Sequence, residues 1–275
     1  MSEMTAKTVT DVVEDLLKLR VAPTRGRKAL PYVTLAILIV ISLISWQHFE
    51  EQARTRQKQQ FDEHVTTMLR KIQERMSRYE MIMRGGAGLF IASAQVTREE
   101  WQEYVSYRQI QEFFPGILSM GIARLVRNAD LAKHQQEIRV TGIPGYAVHP
   151  PGERAEYCPL IYLEPLDDGS RPAFGYDLLS EPVRRAALDR ARVQATCAMS
   201  EKITLKHSFG KYNGAGFLLC LPVYNSGKTS ETDEQRSSAL WGYVVSAFYV
   251  EDFIRGIIGE NSHKIEFKIF DGSEL

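Results

Sequence analysis

Hydrophobic and polar positions follow different rules in successive parts of the chain. From Ala29 to Phe49 (ALPYVTLAILIVISLISWQHF) no Asp, Glu, Lys or Arg interrupts an apolar run. As a helix this run is roughly 30 Å long at about 1.5 Å per residue, the thickness of a bilayer's hydrocarbon core. Pro31 falls in the first turn, where a missing N–H costs little. Trp46 stands near the far end, where an amphipathic ring suits the headgroup region. The run predicts a transmembrane helix over 29–49. Beyond it Phe61, Val65, Met68, Ile72, Met76, Tyr79 and Met83 recur in steps of 4, 3, 4, 4, 3 and 4. The mean step of about 3.7 lies nearer an 11-residue repeat than a heptad. It predicts a nearly straight stalk helix over 50–84, continuous with the membrane helix. The stripe could face its own domain or a second copy of the stalk, which would make the protein a homodimer. Gly85, Gly86 and Gly88 interrupt the pattern before Leu89–Ser93 resumes it. Close helix packing accounts for them better than a phosphate loop, which needs a following Lys-Ser/Thr and a preceding strand.

Thr97-Arg-Glu-Glu100 is a capping box that opens a helix through about Ile110. The period then changes to that of strands. Ile117–Val126 reads as a strand, and Asn128 begins a short helix to about Val140. Tyr146–His149 and Ala155–Leu163 read as a hairpin around Pro150-Pro-Gly152. Ser180 is the expected N-cap of a helix with Pro182 in its first turn and Val183, Ala187, Leu188 and Ala191 on its buried face. Ala198–Leu205, Gly216–Tyr224 and Leu240–Tyr249 read as strands, Asn225–Ser238 as a surface loop, Glu251–Gly259 as a helix and Ile265–Phe270 as a last strand. Short strands beside a long helix make an α+β fold.

Charge sets the orientation. Arg25, Arg27 and Lys28 crowd the front of the apolar run, whereas Glu50 and Glu51 follow it. This favours a cytoplasmic N-terminus, with residues 1–28 as a short cytoplasmic lead and the rest exported. No small-x-small site follows the run, so it reads as an uncleaved signal anchor. The expected place is a bacterial inner membrane, crossed once, with the folded part in the periplasm. A formal net charge of zero argues against nucleic acid as a partner. Cys158, Cys197 and Cys220 read as buried thiols, with one disulfide plus a free thiol as the alternative. They lack metal-ligand spacing, and His48, His64, His134, His149, His207 and His263 are scattered, so no metal or cofactor is expected. Asp167 and Asp168 precede Gly169 in a turn, and Ser208 beside His207 lacks a nucleophile-elbow setting. An enzyme is therefore not expected.

Taken together, several runs resemble a known family. Arg84–Ser93, Val96–Trp101, Phe114-Pro-Gly-Ile117 and Gly121-Ile-Ala-Arg124 look like the opening of a CHASE domain. The likeness continues through Tyr157–Pro165, Gly175-Tyr-Asp-Leu178, Glu181–Arg192 and Gly216–Tyr224, and it covers roughly residues 75–255. CHASE domains are extracytoplasmic sensor modules of histidine kinases and nucleotide cyclases. The resemblance implies a stalk helix followed by tandem PAS-like antiparallel-sheet subdomains over 85–275. The membrane-distal one would span about 115–225, and the proximal one about 226–275 plus N-terminal segments. It implies a small ligand outside and a kinase or cyclase output inside, reached through a dimer of stalk helices. In plant members the ligand is an adenine derivative bonded by an Asp, so a purine-like molecule is among the candidates, and Asp177 is the local match. Family members carry a second membrane helix and an output domain, so the chain is expected to be the sensor part of a longer protein.

The residues themselves allow a pocket. Asp177 lies among Phe174, Tyr176, Leu178 and Leu179, and a carboxylate in such surroundings needs partners. Those could be a ligand's N–H groups, a helix start, or Arg184 or Arg185. Ser200 and Thr204 are expected to face the sheet interior with Phe217 and Leu219 on the next strand. The expected ligand site is therefore Asp177, Phe174, Tyr176, Leu178, Ser200, Thr204, Phe217 and Leu219, an apolar hollow with a few polar anchors. The alternative is an exported scaffold that binds another protein through an apolar patch.

Overall fold

The computed structural model describes residues 30–258 apart from 94, 207–212 and 226–231. The expected cytoplasmic lead, His207 with Ser208, His263 and the last expected strand lie outside these residues. The chain divides at Thr66/Thr67 into two units. Helix α1 (Leu30–Ala92) runs 63 residues without a break. It begins in the apolar run, where Tyr32, Leu38 and Trp46 are exposed as lipid-facing side chains would be. It is one helix among the described residues long and apolar enough to cross a membrane.

The second unit is an antiparallel sheet with helices on both faces. Helices α2 (Arg98–Tyr107) and α3 (Ile110–Phe113) lead into β1 (Ile117–Arg124). A short ribbon pairs β2 (Val126–Arg127) with β3 (Glu156–Tyr157), and α4 (Leu131–Val140) lies between them in sequence. Then follow β4 (Leu160–Glu164), α5 (Pro182–Gln194), β5 (Ala198–Met199), β6 (Ile203–Lys206), β7 (Asn213–Tyr224), α6 (Asp233–Ala239), β8 (Leu240–Tyr249) and α7 (Val250–Ile258). The main sheet has the order β4-β1-β8-β7-β5, with β6 also on β7. Strand β8 lies between β1 and β7, so strands on both sides of the expected boundary near residue 225 share one sheet. Among the described residues there is no second main sheet.

Two cores cover the two faces. On one face Tyr79, Ile82 and Met83 of α1 pack with Trp101, Met120, Phe217, Leu219, Phe248 and Phe253. The stalk stripe from Met68 to Met83 therefore serves its own sheet, while Phe61 and Val65 stay exposed. The glycines let α1 approach: a Cβ on Gly86 would stand 3.1 Å from the Trp101 ring and from Met120 Cε. On the other face Ala187, Leu188 and Ala191 of α5 pack with Leu178, Leu218, Cys220, Tyr243 and Val245. The three cysteines are free, with Cys158 and Cys220 buried.

Several local expectations are corrected. The hairpin of 146–149 with 155–163 does not form, because β3 pairs with β2 and β4 with β1. Residue 149 makes only an isolated bridge to Tyr176. Glu181, not Ser180, caps α5: its carboxylate accepts from the N–H groups of Val183 and Arg184, and Ser180 instead donates to the carbonyl of Asp177. Within the expected surface loop, α6 forms behind a Thr232–Gln235 capping box.

Candidate functional site

Asp177 is fully buried and ties together segments distant in sequence. Its N–H donates to the carbonyl of His149 at 2.7 Å. Carboxylate Oδ1 accepts from the N–H of Cys158 at 2.7 Å and from that of Leu179 at 3.0 Å, starting the tight turn Leu178–Ser180. Oδ2 lies 3.3 Å from Nη1 of Arg154 but receives no hydrogen bond. Arg154 also donates to the carbonyls of Pro150 and Gly152 and lies over the Tyr157 ring. Its charge is thus held beside the carboxylate, which offsets part of the cost of burying both. The partner is Arg154 rather than Arg184 or Arg185. Arg185 donates to the carbonyl of Leu179, and Arg184 reaches Glu181 and Tyr176. Burial first, and then the nearby Asp177, push the Cys158 thiol well up, so it is an inert core thiol.

The eight expected residues do not converge. Leu178 belongs to the α5-side core. Phe174 packs edge-on against Tyr146 under the guanidinium of Arg98. Tyr176 meets His149 and Arg184. Ser200 is buried, but it serves the sheet: its Oγ accepts from the N–H of Leu218 and donates to the carbonyl of Glu201. Thr204 is exposed. Phe217 and Leu219 face the α1-side core, where Phe217 stacks on Phe248 at 4.9 Å. Side chains alternate across a strand, so on β7 Leu218 and Cys220, not Phe217 and Leu219, share a face with Leu178.

Open grooves lie elsewhere. One of about 840 Å³ runs past Arg154, Leu179, Arg185 and Tyr243, close to Asp177. Two more, of about 1070 and 950 Å³, flank α4 and share Arg124, Lys133, Glu137, Asn225 and Trp241. The larger has an apolar wall of Phe90, Ile161, Val223 and Trp241. The smaller reaches His134, whose Nε2 lies 3.0 Å from the Tyr146 hydroxyl. Burial and then the charge of Arg124 lower its pKa to about 4, so His134 is neutral at neutral pH. Glu164 is shifted upward by burial, an effect opposed by the N–H of Leu166 and by Arg98. No group of three His, Cys, Asp or Glu side chains among the described residues could hold a metal ion.

Sequence reasoning overlooked Arg154, Arg124, His134 and Trp241. Arg154 carried a local signal, as a lone cation closing the Pro150-Pro-Gly152 turn. The others meet only through the fold.

Comparison with known families matches the CHASE domain over residues 94–275. The chain belongs to the CHASE domain family. CHASE domains are extracytoplasmic sensor modules of signalling proteins, and the α+β sheet domain behind a long apolar helix fits that role. No curated protein matches the chain.

Proposed function

We propose that this CHASE protein is a membrane-anchored sensor. Its sheet domain lies in the periplasm, binds a small ligand, and passes the signal through α1 to a cytoplasmic kinase or cyclase. One observation carries the reading: a single helix, Leu30–Ala92, contains both the lipid-length apolar run and core residues of the sheet domain, Tyr79, Ile82 and Met83. A change in sheet packing therefore acts on the helix that leads to the membrane. The strand order, in which the last described strand, β8, lies between β1 and β7, supports a PAS-like reading. Asp177 remains a candidate ligand contact, since Oδ2 is buried without a hydrogen bond and the 840 Å³ groove passes beside Arg154.

Dimerisation through α1 belongs to this proposal, confined now to exposed positions such as Phe61, Val65 and Leu69. The full chain in lipid nanodiscs, screened by thermal shift against purines, amino acids and small organic acids, tests the reading. A saturable stabiliser supports it. A broad library without one overturns it in favour of the scaffold, which the openness of the three grooves to solvent would suit.

A further inference from the structure

The two grooves beside α4 meet at a cation without an acidic partner. Arg124 ends β1, where the main sheet gives way to the ribbon, and is half-buried. Among the described residues no carboxylate approaches it within ion-pair distance; its guanidinium lies over the Trp241 ring at 5.7 Å. Several other charged groups lining the grooves are paired, while Glu99 and Glu234 make no ion pair among the described residues. Arg127 pairs with Asp130, Arg192 with Glu156, and Lys133 with Glu137 at 3.9 Å. A half-buried guanidinium that lacks an anion is a common way to recognise one, because its fork of N–H donors matches a carboxylate.

A second polar group in the same place is also unsatisfied. His134 is 96% buried (4% exposed) and lines the smaller groove, yet its Nδ1 has no hydrogen-bond partner. Buried polar atoms in folded proteins rarely go unpaired, and those that do call for an explanation such as a ligand or water. Nε2 faces the Tyr146 hydroxyl at 3.0 Å, which leaves Nδ1 as the unpartnered nitrogen of the ring. Beside these groups, Phe90, Ile161, Val223 and Trp241 give an apolar wall. A few polar anchors against an apolar surface is the usual make-up of a small-molecule site.

We propose that the trough between α4 and the β1–β8 end of the sheet binds a small carboxylate with a flat apolar body, held through Arg124. This rests on the sensor reading above, and it moves the ligand from the Asp177 turn to the trough beside α4. The carboxylate is bound by Arg124, with Lys133 at the rim, and the body lies on the apolar wall. His134 lines the adjoining smaller groove. The trough is walled by α1 and α4, so occupancy acts on the helix that enters the membrane.

The test is calorimetric titration of the full chain in nanodiscs with benzoate, phenylacetate and 3-phenylpropionate, each beside its neutral amide. At least one acid should bind with Kd below about 1 mM, and its amide tenfold or more weaker. Arg124→Gln should weaken the acid tenfold or more, Arg124→Lys should restore part of the loss, and Thr204→Ala, at an exposed position outside the grooves, should leave it within about twofold, all scored on variants that retain the native circular dichroism spectrum and a cooperative melt. No binding by any of the acids, equal binding of acid and amide, or indifference to Arg124→Gln overturns the trough proposal. If the broad thermal-shift screen still finds a stabiliser that depends on Asp177, the sensor reading stands and only this site falls. If neither assay finds a ligand, both fall.

Discussion

At the scale of single residues, Asp177 stabilises the domain whatever it binds. Its carboxylate satisfies two backbone donors and faces Arg154 inside the protein. Asp177→Ala leaves those donors and a buried guanidinium unmatched, and should lower unfolding stability by about 3 kcal/mol in chemical denaturation. His134 gives a pH signature. Its folded pKa of about 4 lies below the 6.5 of a free imidazole, so the unfolded chain binds the extra proton first. The contribution is present above pH 6.5 and is lost as pH falls through about 4, to a limit of about 3 kcal/mol. In His134→Gln this slope should be absent, so the stability gap between the two proteins should narrow between pH 7 and pH 4.5. A constant gap would show that His134 does not set the acid response.

At the scale of elements, the burial map separates residues that looked alike in the sequence. Phe217 sits in an aromatic cluster with Tyr79, Phe248 and Phe253, so Phe217→Ala should cost about 3–5 kcal/mol. Thr204 is exposed on β6, and Thr204→Ala should change stability by less than about 0.5 kcal/mol. Gly86→Leu should destabilise by about 1–3 kcal/mol, since the Trp101 ring already occupies the space a side chain needs. Much of this level was legible. The α1 stripe, the Thr97 capping box and the buried face of α5 follow from local periodicity and capping chemistry. What was not legible was which partner each strand takes and which of its faces meets which helix. The hairpin around Pro150 failed because β3 and β4 find partners far away in sequence. The expected site residues were spread over two faces for the same reason, since choosing Phe217 over Leu218 requires knowing which side of β7 carries α1. Arg124, His134 and Trp241 gave no local signal because nothing in their neighbourhoods shows that the fold brings them to one trough.

At the scale of the molecule, the proposed dimer and orientation can be tested in membranes. Cysteines placed singly at Phe61, Val65 and Leu69 should crosslink between copies with a helical period, while those at Tyr79 and Met83, inside their own domain's core, should not. An even pattern across all five positions would remove the dimer. A periplasm-active reporter fused after residue 258 should be active, and a cytoplasmic signal there would reverse the assigned sides of the membrane.

The central place of β8 also governs how the protein must be made. Its neighbours, β1 and β7, are synthesised earlier but touch each other only through it. Until β8 has been synthesised through Tyr249, β1 and β7 each expose a hydrogen-bonding edge, and such edges invite association between chains. A nascent chain stalled before Leu240 would therefore depend on a holding chaperone to stay soluble. One released after Tyr249 carries every described strand of the sheet.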